Sequence, residues 1–207
     1  MFRLVAAIVG LSLLTACGGV RDDLAAKPEP IGDFLLGFNI AVAPSPTQGP
    51  FSREGSSEDW IASVKQAVDQ RFKRYDGTAY YHIAVSVDGY VLAQPGIPIV
   101  YTPKSVLIFS VTFYKDATQE KLNPEPIQIT VFEPCCDIPF LGSGLSKSAE
   151  EQMEGLAFNA ARAIERTMRE NGAWFGGTNE TQDQDPTIIT GNVLVDDPEA
   201  VAPEQTN

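Results

Sequence analysis

Apolar and polar positions alternate along the first half of the chain in two distinct periods. Phe34, Leu36, Phe38, Ile40 and Val42 recur every second residue over the run ending at Ala43, with Gly37 and Asn39 opposite. Period two predicts a β-strand with one strongly apolar face. The period then changes. Trp60, Ile61, Val64, Ala67, Val68, Phe72 and Tyr75 fall on one stripe at helical spacing within Ser56 to Tyr75, which predicts an amphipathic helix. Ser56 and Asp59 form a near capping box, and Asp76-Gly77 supplies a stop. Glu58 and Asp59 open the helix and Arg71, Lys73 and Arg74 close it, so both ends complement the dipole.

Alternation returns in Ala79, Tyr81, Ile83, Val85 and Val87, followed by Asp88-Gly89. That dipeptide suits a hairpin turn or a bulge within one strand. Val91 and Ala93 keep the parity, which favours one long strand. Lys104–Lys115, with Leu107, Phe109, Val111 and Phe113, and Ile127–Glu133, with Ile127, Ile129 and Val131, predict two further strands. Ser148 and Glu151 form a capping box before a second helix, whose stripe is Met153, Leu156, Ala157, Ala160, Ile164, Thr167 and Met168. Asn171-Gly172 ends it, and Trp174 and Phe175 are placed to fold back on the core.

The order β-α-β-β-β-α predicts an α+β two-layer sandwich. Its sheet is four-stranded and mostly antiparallel, with both helices on one face. The first helix is a crossover long enough to bring the first strand into the same sheet. Tyr80, His82, Ser86, Asp88 and Tyr90 should line the opposite, half-polar face.

Ahead of the domain, Arg3 precedes an apolar run from Leu4 to Leu13. Its length suits the h-region of a signal peptide and is half what a membrane span needs. Leu14-Thr15-Ala16-Cys17 follows and resembles the lipobox of bacterial lipoproteins. That resemblance implies cleavage before Cys17, a lipidated cysteine, and anchoring by two or three acyl chains. Gly18 in place of Asp favours the outer membrane over the inner one. As a whole, residues 1–175 resemble small lipoproteins of Gram-negative, alphaproteobacterial bacteria, and the element order is similar in topology to accessory lipoproteins of envelope transport and cell-wall synthesis. The expected organisation is a signal peptide (1–16), a lipidated cysteine with flexible tether (17–32), an α+β domain (33–175) and an acidic tail (176–207). Within that tail, Thr187–Thr190 and Val193–Val195 form an apolar island that either orders as an edge strand or stays floppy.

Charge narrows the partners. The formal net charge is −12, which argues against nucleic acid and against an electrostatic grip on anionic lipid. Anchoring therefore falls to the acyl chains. Cys135 and Cys136 are the other cysteines. They form either a strained vicinal disulfide or redox pair, or two small side chains at a strand end.

Chemistry is sparse. His82 is the one histidine, and it reads as a residue of the open sheet face. The sequence holds no nucleophile elbow, zinc-protease motif or phosphate loop. Gly142-Ser143-Gly144 reads as a loop. No cofactor and no metal are expected, and no catalytic residue is assigned. Gly96–Tyr101 is apolar for a loop, and Ile97, Ile99 and Tyr101 either contact a partner or tuck under the domain. The expected function is that of a non-enzymatic accessory or scaffold on the periplasmic side of the outer membrane, acting through contact with another envelope protein. The alternative is a binding module for a lipid or small apolar ligand, which requires a deep apolar cavity between sheet and helices.

Overall fold

A computed structural model of the chain describes residues 24–94, 104–133, 147–181 and 187–190. Its elements are β1 (Phe34–Val42), β2 (Thr47–Gln48), α1 (Ser57–Phe72), β3 (Ala79–Val91), β4 (Val106–Lys115), β5 (Glu120–Lys121), β6 (Ile127–Phe132), α2 (Ala149–Glu170), a 3-10 turn (Gly172–Phe175) and β7 (Ile188–Thr190). The sheet runs β1-β3-β4-β6-β7, with β2 beside β3 and β5 beside β4. It is thus a seven-stranded mixed sheet rather than a four-stranded, mostly antiparallel one. β1 and β2 pair with β3 in parallel, and the other pairings are antiparallel. Three of the additional strands are two or three residues long, too short to carry a readable period.

The helices form where the stripes place them. The amide of Asp59 donates to Ser56 Oγ at the start of α1, and both halves of the Ser148–Glu151 capping box are made at the start of α2. α1 lies over β1 and α2 over β4 and β6. The layers meet in a filled core in which Trp60, Val64, Phe72, Ile83, Phe109, Leu156 and Ile164 are fully buried.

One aromatic side chain joins the layers at the start of β1. The Phe34 ring lies 5.6–5.9 Å from those of Phe72, Tyr75, Tyr81 and Phe175, so α1, β3 and the 3-10 turn share one contact. Phe175 does fold back as expected, and is fully buried. Beside this hub, the Asp33 carboxylate accepts from the Thr78 amide (2.6 Å) and hydroxyl (2.7 Å). Those bonds hold the Asp33 carboxyl below its ordinary range. Its tie between the starts of β1 and β3 is therefore present above the usual carboxylate range and weakens as pH falls through the depressed value.

Two strands change parity within their length. In β1 the register slips by one residue between Leu36 and Asn39, and in β3 between Val87 and Gly89. Each is a bulge, in which one extra residue turns all later side chains to the other face. Asp88-Gly89 is thus a bulge inside one long strand, and the slip has a consequence the alternation missed. Tyr90 leaves the open face and enters the core, 5 % exposed, with its ring 5.2 Å from Trp60. The predicted single apolar face of β1 divides in the same way. Phe34 and Leu36 face the core, while Phe38, Ile40 and Val42 turn outward and Ala41 and Ala43 take the buried positions.

The apolar island begins an ordered edge strand, since Ile188–Thr190 pairs antiparallel with β6. Residues 24–32 depart from the tether expectation. Ile31 is 2 % exposed, and the backbone before it accepts hydrogen bonds from Arg74, just beyond the end of α1, and from Arg169 of α2.

Truncating the Phe34 hub removes four ring contacts at once. Phe34→Ala should cost about 3–5 kcal/mol, read as a lower urea midpoint with an unchanged m-value.

Candidate functional site

The open face of the sheet divides into two kinds of surface. Its centre is polar: Ser86, Ser110 and Gln128 stand side by side across three strands, and the Ser110 hydroxyl donates to Asp88 at 2.5 Å. Its β1 margin is apolar. Phe38 is 67 % exposed, Ile40 50 % and Val42 46 %, with Tyr80 beside them at 54 %. β1 is the outermost strand on this side, and the nine residues of Phe34–Val42 include no charge and no proline. Soluble proteins ordinarily blunt such an edge with lysine, proline or a very short strand.

His82 explains how the bulge beneath this surface is held. A bulge leaves a backbone group without its ladder partner. Here the Phe38 amide donates to His82 Nδ1 at 2.9 Å, while His82 Nε2 lies 2.9 Å from Asp116 Oδ1. With Nδ1 accepting, the ring proton sits on Nε2 and is donated to Asp116. The ring also packs against Phe38, centroid to centroid 5.0 Å. A Cβ on Gly37 would come within 2.5 Å of Nδ1, which explains glycine there. On the helix side, Asn39 Nδ2 donates to the Lys65 carbonyl (2.8 Å) and to Asp69 (3.1 Å). His82 does lie on the open sheet face, and its described partners give it a structural part in shaping the β1 edge.

A second polar cluster lies between the C-terminal turns of α1 and α2. Arg71, only 2 % exposed, donates to Glu165 Oε2 at 2.5 Å and stacks its guanidinium 5.1 Å from the Phe158 ring centroid. The Tyr75 hydroxyl donates to Glu165 Oε1 and accepts from Arg169 Nη2 at 3.1 Å. Burial, reinforced by the Glu165 carboxylate, pushes the Tyr75 phenol well above its ordinary pKa, so it stays a donor. Arg71 is thus more than a dipole complement, because it ties α1 to α2. The missed signal was its position: it falls beside Phe72 on the stripe, where a long side chain must find a buried partner. Removing one member of such a pair leaves an uncompensated buried charge.

Among the described residues, no group of three or more histidine, cysteine or acidic side chains is arranged to hold a metal, and no helix is long and apolar enough to cross a membrane. Cys17, Ile97, Ile99, Tyr101, Cys135 and Cys136 all lie outside the described residues.

No protein-family model matches the chain, and no curated protein matches it. Several solved chains are similar in part, two of them as follows. One is a lipoprotein candidate from Caulobacter crescentus, 16 % identical, with 69 % of this chain and 93 % of that chain covered and a TM-score of 0.36. The other is a Xanthomonas campestris protein of family model DUF330, 12 % identical, with 72 % and 95 % covered and a TM-score of 0.38. Overlaps this low carry no functional argument.

Replacing His82 with Phe keeps the ring and deletes the acceptor. Loss of the Phe38 amide's hydrogen bond should cost about 0.5–1.5 kcal/mol, with faster hydrogen exchange at Phe38 and its β1 neighbours than elsewhere in the sheet.

Proposed function

We propose that the protein is a lipid-anchored envelope protein, held at the periplasmic face of the outer membrane through Cys17, which acts without catalysis by presenting the β1 edge to a protein partner. The observation that carries the contact reading is the uncharged outer strand with Phe38, Ile40 and Val42 in one exposed row. An extended segment laid along such an edge gains backbone hydrogen bonds from the strand and a side-chain row to pack against. The anchor rests on Leu14-Thr15-Ala16-Cys17 and the apolar run before it. Gly18 supports the outer membrane.

The filled core favours a contact surface over an internal ligand chamber. Large side chains from both layers occupy the space between sheet and helices. Two clefts on the described surface are lined mainly by polar and charged residues, one beside Gln66 and Gln70 and the other beside Arg74 and Arg169.

Two measurements test this reading. Cys17→Ala should accumulate as uncleaved precursor without the acyl mass, and a variant with wild-type mass and membrane fractionation sinks the anchor. A photocrosslinking amino acid at Phe38 should capture a defined envelope protein in living cells. Ile40→Asp should abolish that capture while the thermal transition moves little, because Ile40 is half exposed. Capture undiminished by Ile40→Asp refutes the edge as the contact surface.

A further inference from the structure

We infer that the pole formed by residues 24–30 and the C-terminal turns of α1 and α2 faces the membrane, and that Arg74 and Arg169 clamp the chain there to set the height of the domain above the lipid. This rests on the proposed lipidation of Cys17 and adds an orientation and a spacing to it.

The path of the chain carries the inference. Residues 24–30 run across the ends of both helices as a strap. Arg74 Nη1 donates to the carbonyls of Leu24 (3.1 Å) and Ala26 (2.8 Å). Lys27 pairs with Asp76 at 2.7 Å, and Arg169 Nη2 donates to the Glu29 carbonyl at 2.9 Å. Only then does Ile31 enter the core. The two arginines are braced from below, because Arg169 also contacts Tyr75 and Glu165 while Arg74 Nε donates to the Arg71 carbonyl. The strap is therefore gripped through its backbone carbonyls, largely independent of its own side chains.

Reach follows from the grip. Seven residue steps separate Cys17 from Leu24, and an extended chain spans at most about 3.6 Å per step, or about 25 Å in all. Detaching the strap back to Ile31 doubles the steps and extends the limit to about 50 Å. While clamped, this pole stays within about 25 Å of the lipid anchor. The opposite end, where Phe51 is 84 % exposed, lies the length of the thirteen-residue β3 further away, about 40 Å.

Charge at the pole agrees. The chain as a whole is strongly acidic, yet four carboxylates here are paired with bases: Asp76 with Lys27, Asp69 with Lys73, Glu170 with Arg166, and Glu180 with Arg169. Such pairing lessens the repulsion that an acidic surface meets at an anionic leaflet.

The clamp also predicts how the strap yields. Apart from Ile31 it buries little, and charge-assisted hydrogen bonds hold it. Segments secured in this way occupy the low end of local stability, so they open without global unfolding.

Full-length lipidated protein in phosphatidylethanolamine–phosphatidylglycerol vesicles with a rhodamine headgroup acceptor tests both parts. A fluorescent amino acid replaces either Lys121, near the strap pole, or Phe51, at the far end. Energy transfer from position 121 should exceed that from position 51 several-fold, and equal or inverted transfer overturns the orientation. Arg74→Gln combined with Arg169→Gln should lower transfer from position 121 several-fold and make residues 24–30 accessible to protease. Unchanged transfer with that pair overturns the clamp. Because the pair also touches the helix ends, a second variant carries a Gly-Ser insertion of eight residues between Gly19 and Val20 and leaves the sequence of the described residues unchanged. It should reproduce the loss of transfer, and unchanged transfer overturns height control by the tether. Wild-type protein that fails to float with the vesicles refutes the lipid anchor itself, and the orientation with it.

Discussion

A β-strand has no freedom over which way its side chains point except by inserting a residue. That constraint, applied at Gly37-Phe38 and again at Asp88-Gly89, decides what this molecule buries and what it shows. The insertion in β1 turns Phe38, Ile40 and Val42 outward and brings small Ala41 and Ala43 beneath α1, where larger side chains would hold the helix off the sheet. The insertion in β3 brings Tyr90 under Trp60, where its hydroxyl donates to the Gly55 carbonyl and accepts from the Gly55 amide. Both effects come from a register slip of one residue. His82 is the local cost of the first slip, since an imidazole is committed to one displaced amide.

The same end of the molecule gathers its other strong interactions. Phe34 brings α1, β3 and the 3-10 turn together, Asp33 ties β1 to β3, and the Arg71–Glu165–Tyr75–Arg169 cluster joins the two helices. The strap is laid over that cluster and gripped by its outer arginines. The exposed margin of β1 runs away from this point, on the other side of the sheet, so the proposed anchor and the proposed contact use separate surfaces.

The elements themselves were legible because each long one carries its own period. Both helices, their caps, the three long antiparallel strands and the entry of β1 into the same sheet all follow from stripes, alternation and crossover length, whereas its parallel pairing with β3 came from the structure. The small strands β2, β5 and β7 were not, because two or three residues carry no period and pair only because a neighbour is already in place. The candidate site was legible only in part. His82 could be put on the open face, yet the fact that it serves Phe38 depends on a backbone amide freed by a bulge. Arg71 lay in plain view within a basic cluster, and nothing local showed that its partner would be Glu165, 94 positions along.

What the sequence determined by itself is local and additive: an apolar run followed by Leu14-Thr15-Ala16-Cys17, the periods of the long elements, the helix caps and the acidic balance. Each depends on residues within a few positions of one another. The tertiary structure decided what depends on distant partners. It settled which face the second half of β1 presents, whether Tyr90 is inside or outside, and whether residues 24–30 hang free or lie clamped. A strand's parity after a bulge is fixed by the register of the strand beside it, and a carbonyl is gripped only where a distant arginine reaches it. Neither relation leaves a mark in the neighbouring sequence.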